Sequence, residues 1–145
     1  MKKLDELQLL KRGNVFKHGL FLLGGLVLLN SFLTNNDILL INERWSPVLM
    51  VLITVAACSI ELISLDIYPL TQRRQRLLIY FVGLFGMLSI AISIYEMINS
   101  KIPFSINKQV TEEGLGIILG CIFLSITLTY IIKSYLNTKL NDEDI

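Results

Sequence analysis

The sequence is poor in the residues on which soluble chemistry depends. It has one histidine, two cysteines, three prolines and one tryptophan, and charged residues make up 17% of its 145 positions. With His18 as the sole imidazole, a Ser–His or Cys–His nucleophile would have to be assembled at the edge of an apolar block, which argues against an enzyme. Neither Cys58 nor Cys121 has a Cys or His neighbour at ligand spacing, so neither a zinc site nor a CxxC redox centre is expected. A disulfide between the two is sterically conceivable, but a reduced thiol acting as a small apolar residue is the default. None of the patterns G-x-x-x-x-G-K-[ST], H-E-x-x-H or G-x-S-x-G occurs. A net charge of +1 lacks the basic surplus of a nucleic-acid binder. Neither metal nor cofactor is expected.

Apolar residues are what the chain has in excess, at 53%. Soluble domains carry about 45–50% apolar and about 25% charged residues, so the shift is moderate and its distribution decides the class. The apolar residues fall into four blocks, at about 15–33, 47–67, 77–98 and 114–132. A bilayer-spanning helix needs about 20 such residues to cross about 30 Å of hydrocarbon. Without water there, each span must satisfy its backbone internally, as a helix. The expected fold is an all-α polytopic membrane protein, a four-transmembrane-helix bundle. It forms a single membrane domain over residues 1–145, with a cytoplasmic segment at 1–14 and a cytoplasmic tail at 133–145.

Connections and charge give the expected threading. Thr34-Asn35-Asn36-Asp37 stops the first span, and Trp45 suits headgroup level, where indoles prefer to lie. Pro47 occupies a first-turn position that needs no amide donor. Thr111, followed by Glu112 and Glu113, is a candidate N-cap with acids in the first turn. Lys2, Lys3, Lys11, Arg12, Lys17, Arg73, Arg74, Arg76, Lys133 and Lys139 fall on one side, against Arg44, Lys101 and Lys108 on the other. Ten cations against three place both termini in the cytoplasm by the positive-inside rule. Arg73, Arg74 and Arg76 are then assigned to topology and anionic headgroups. The first block is too long for a typical signal-peptide core and lacks a small-x-small cleavage site, so it is expected to stay as an anchor. Leucines at 4, 7 and 10 fit either a surface-lying amphipathic helix or an extension of the first span.

In lipid, small residues and shared polar groups hold helices together. Such residues recur at helical spacing as Thr54, Ala57, Glu61, Ser64 and Tyr68 in the second span, and as Gly86, Ser89, Ser93 and Glu96 in the third. The fourth offers Gly116 and Gly120 as a small-xxx-small pair, then Cys121, Ser125 and Thr129. These series read as packing seams of one compact unit or as the lining of a cavity. Glu61 is the candidate functional carboxylate within a span. Low dielectric disfavours its ionised form, making it a candidate proton acceptor. Alternatively Thr127 or Tyr130 satisfies it, or it snorkels toward the arginines. Asp66 is expected to pair with that arginine cluster, Glu96 to be solvated at the outer boundary, and His18 to be an interfacial bystander.

With its charged start Lys2-Lys3-Leu4-Asp5-Glu6-Leu7, Arg-rich approach to the third span and tail Lys139-Leu140-Asn141-Asp142-Glu143-Asp144, the chain resembles the small four-span bacterial membrane proteins of unknown function. The resemblance lies in layout and implies no activity. Small multidrug-resistance exporters also have four spans, with a proton-coupling glutamate in the first. Here the first span has no carboxylate from Gly19 to Leu33, and Glu61 lies in the second. The leading expectation is a non-enzymatic protein of the cytoplasmic membrane, accessory or regulatory, acting through helix contacts with itself or another membrane protein. The alternative is a small oligomeric proton-coupled transporter using Glu61.

Overall fold

A computed structural model describes residues 6–36, 38, 40–67, 73–106 and 109–143, with side chains described from 75 in the third helix and up to 139 in the fourth. Four helices account for most of it: α1 (Glu6–Asn35), α2 (Ser46–Ser64), α3 (Arg73–Ser100) and α4 (Glu112–Glu143). Each is long and apolar enough to cross a membrane. Between α3 and α4 lies a minimal antiparallel ribbon, β1 (Ser105–Ile106) and β2 (Gln109–Val110).

The helices differ from the apolar blocks mainly at their ends. At 1.5 Å per residue, the 30-residue α1 and the 32-residue α4 are each longer than the hydrocarbon thickness. Residues 6–14 continue α1 without a break, so the part of the leucine-bearing start that is described extends the first span. Tyr68, the last member of the small and polar series of the second span, lies outside the described residues. The second span ends earlier than its apolar block, at Ser64. Asp66 adopts φ 56°, its amide bonds to the Ile63 carbonyl, and the Ile67 amide reaches back to Leu62. That is a Schellman stop with aspartate in the position usually held by glycine. Ile67 is buried behind it.

Extensive contacts are confined to α1 with α2, α2 with α4, and α4 with α3. The packing order is therefore α1–α2–α4–α3, with α1 and α3 on the flanks. The tightest pair is α3–α4. Ile79, Gly83, Gly86, Ile90 and Ser93 advance along α3 in steps of four and three, and Gly116, Gly120, Phe123 and Thr127 do the same along α4. Matched heptads of this kind let ridges of one helix sit in grooves of the other. A Cβ on Gly120 would lie 2.7 Å from the Gly86 carbonyl oxygen, so the backbones meet here without room for a side chain. Ser89 Oγ donates to the Gly116 carbonyl at 2.8 Å, and Thr127 Oγ1 to the Ile79 carbonyl at 3.2 Å. Ile63 of α2, Ile79 of α3 and Tyr130 of α4 form the buried core where three helices converge. The T-shaped Tyr80–Tyr130 pair lies beside it.

The loop ends of the bundle are tied down. Thr111 Oγ1 accepts the Gly114 amide, capping α4 as its sequence suggests, and donates back to the Phe104 carbonyl. The Val110 amide bonds to the Leu40 carbonyl, joining the first and third connections. Because successive helices run antiparallel, the start of α1 and the end of α4 emerge at the same end of the molecule.

Candidate functional site

The α1–α2 interface brings a thiol, a carboxylate and the imidazole together. Val15 is fully buried and Gly19 is packed so closely on α2 that an added Cβ would meet the Cys58 sulfur. Cys58 lies 3.8 Å from the Val15 carbonyl through its thiol. One turn further along α2, Glu61 turns toward α1, and its Oε1 lies 2.8 Å from Nδ1 of His18. With an ionised carboxylate as acceptor, the imidazole must carry a proton on Nδ1. The His18 side chain is 66% exposed and that of Glu61 34%, so the pair sits on the flank of the bundle. At the far end of the same interface, Ser46 Oγ donates to Asn30 Oδ1 at 2.6 Å.

This placement corrects two expectations. Glu61 is not satisfied by Thr127 or Tyr130: Thr127 is engaged with Ile79 and its own helix, and Tyr130 packs beside Ile63 on the α4 side of α2. The reason is angular. Thr54, Cys58 and Glu61 form the stripe of α2 that meets α1, while Ile63 faces α4. Nor is His18 a bystander. The sequence signal for the contact is faint, since it needs the register of α1 against α2, which hydropathy does not encode.

Asp66 was expected near the arginine cluster but is held by α4. Its carboxylate lies 2.9 Å from Lys133 Nζ and accepts from Asn137 Nδ2 at 3.3 Å. The early end of α2 turns Asp66 toward the overhanging end of α4. Arg73 and Arg74 open α3, their side chains outside the described residues, and Arg76 is exposed. Glu96 is exposed. Gly86, Ser89, Ser93, Gly116 and Gly120 all come together in the α3–α4 seam. Cys121 and Ser125 do not join them and are exposed. The two cysteines are free. Among the described residues no group of three His, Cys, Asp or Glu side chains is placed to hold a metal ion.

Comparison of the chain with protein-family models, with curated proteins and with solved structures finds no match.

Proposed function

We propose that this chain is a non-enzymatic integral protein of the cytoplasmic membrane, with both termini cytoplasmic, acting in an accessory or regulatory role through helix contacts with a second copy or another membrane protein. The layout resemblance to small bacterial four-span proteins and the cation asymmetry support the compartment and orientation. The observation that carries the role is the unequal use of glycine. Gly19, Gly83, Gly86, Gly114, Gly116 and Gly120 are each packed against a neighbour, whereas Gly13, Gly24 and Gly25 of α1 have nothing within 4 Å of where a Cβ would be. Glycine costs about 1 kcal/mol of helix propensity relative to alanine, and small residues let membrane helices approach closely. α1 packs extensively on α2 alone, so its glycine-bearing outer face is the surface offered to a partner.

Photo-crosslinking in native membranes tests this reading. A crosslinker replacing Phe21 or Leu28, both largely exposed beside Gly24 and Gly25, should give a defined adduct. One replacing Ile92 on the flank of α3 should not. Adducts from α3 alone, or from neither helix, would remove the proposed role.

A second reading is favoured by the His18–Glu61 contact: a small oligomeric transporter in which these groups exchange a proton. Purified protein in proteoliposomes distinguishes it. Only the transporter gives proton-dependent flux that Glu61→Gln abolishes.

A further inference from the structure

Beside the α3–α4 seam runs a groove of about 310 Å³, walled by Leu78, Phe81, Val82 and Phe85 of α3 and by Phe123 of α4. Gly86 brings the walls together, since a Cβ added there would lie 3.0 Å from that of Phe123. The groove faces outward: Leu78, Phe81 and Phe85 are each more than half exposed. All five lining side chains are hydrocarbon. In a bilayer, where the core holds no water, such a space is filled by acyl chain. Lipid tails are as apolar as the walls, so the groove by itself favours no lipid over another. Selection has to come from charge at headgroup level.

That charge is in register with the groove. Leu78, Phe81 and Phe85 advance along one stripe of α3 in steps of three and four, and four residues back from Leu78 is Arg74. Arg73 and Arg76 share its turn, the first of α3, which contains no acid. At 1.5 Å per residue, Leu78 is about 6 Å and Phe85 about 16 Å along the helix from Arg74. One leaflet supplies roughly 15 Å of hydrocarbon, half of the bilayer core. The carboxylates near this end of α2 are engaged elsewhere, Asp66 by Lys133 and Glu61 by His18. We propose that the start of α3 binds an anionic phospholipid, with its phosphate at the level of Arg73, Arg74 and Arg76 and one acyl chain lying in the groove toward Phe85. The free amides of the first turn add the positive end of the helix dipole to the same place. This rests on the reading of the chain as a membrane protein, but not on its orientation or on the partner surface of α1.

A photoreactive lipid tests the site. The full chain is held in phosphatidylcholine nanodiscs with a trace of phosphatidylglycerol carrying a diazirine in one acyl chain, and adducts are mapped by mass spectrometry. Adducts should concentrate on residues 78–85. Unlabelled phosphatidylglycerol should compete them away, and added phosphatidylcholine should not. Arg74→Gln and Arg76→Gln should each lower the labelling about fivefold, the usual effect of one basic residue near an anionic surface. Arg44→Gln, at the opposite end of the bundle, should leave it unchanged. Val82→Phe, which narrows the groove without altering charge, should lower it as well. Adducts spread evenly over α1 and α3, equal competition by the two lipids, or labelling indifferent to both arginine substitutions would overturn the proposal. If Val82→Phe fails to fold, the arginine substitutions and the adduct positions decide. A chain that alkaline extraction strips from native membranes would defeat the membrane reading, and this site with it.

Discussion

Ser89 reaches across from α3 to hydrogen-bond the main-chain carbonyl of Gly116 on α4, at 2.8 Å. A serine bonding to a neighbouring helix's backbone requires that the helices almost touch. The glycines supply that proximity: Gly116 sits under Ser93, and Gly120 against Gly86 and Ile90. What a substitution costs depends on which atoms resist it.

At Gly120 a new Cβ meets the Gly86 carbonyl oxygen, which cannot move without shifting α3. At Gly116 it meets the Ser93 hydroxyl, which can rotate away. Gly120→Ala should therefore destabilise more than Gly116→Ala, with overpacking costs of about 1–3 kcal/mol for the former. Leucine at either position should disrupt the pair. Thermal melts in detergent rank the variants, and equal melting for Gly116→Ala and Gly120→Ala would contradict the backbone contact.

Much of this seam is legible from residue spacing. Gly86, Ser89, Ser93, Gly116 and Gly120 stand out because small residues in apolar helices serve approach rather than burial. Cys121, Ser125 and Thr129 look equally good when counted in steps of four, yet each such step gains about 40° on the helix. The seam instead alternates four and three, through Phe123 to Thr127, and a large aromatic gives no signal of close packing. The partners of Glu61 and Asp66 are hidden for another reason. Pairing across helices depends on register, and register is set by contacts such as Gly19–Cys58 between residues 39 positions apart. Block lengths also mislead at the end of α2, because Leu65 and Ile67 are apolar while Asp66 between them has left the helix.

Asp66 holds two roles that substitution separates. Its left-handed backbone costs a non-glycine residue roughly 1–2 kcal/mol, less for Asp or Asn. Its carboxylate binds Lys133 and Asn137. Asp66→Asn should melt within about 1 kcal/mol of the parent, since exposed ion pairs contribute little. Asp66→Ala should lose more, having neither the tie to α4 nor tolerance of the turn. If alanine is as stable as asparagine, the turn is not under the constraint described.

The threading makes a direct labelling prediction. With ten cations against three setting the orientation, single cysteines at Asn36 or Ser105 should react with an impermeant maleimide added outside intact cells. Those at Asn14 or Thr138 should react only after permeabilisation. The opposite pattern would invert the molecule and move the His18–Glu61 pair toward the external face.

The Asn30–Ser46 contact is the polar tie at the other end of α1, and it should behave differently from an ion pair in water. Ser46 is buried and Asn30 half-buried, so removing one partner strands an amide or a hydroxyl that the neighbouring helix no longer satisfies. Ser46→Ala therefore leaves the Asn30 amide oxygen without its partner on α2. Removing both partners, as in Asn30→Leu with Ser46→Ala, leaves no polar group to satisfy and can be nearly neutral. Coupling energies of interhelical hydrogen bonds in membrane proteins average about 0.6 kcal/mol and reach about 1.7. The 2.6 Å contact between the hydroxyl and the amide oxygen has ordinary hydrogen-bond geometry, so a coupling within that range is expected. A double-mutant cycle of unfolding free energies in mixed micelles should thus give a positive coupling, with the double variant more stable than Ser46→Ala alone. Additive losses would mean that the two side chains do not act on one another, and that α1 is held at this end by packing alone.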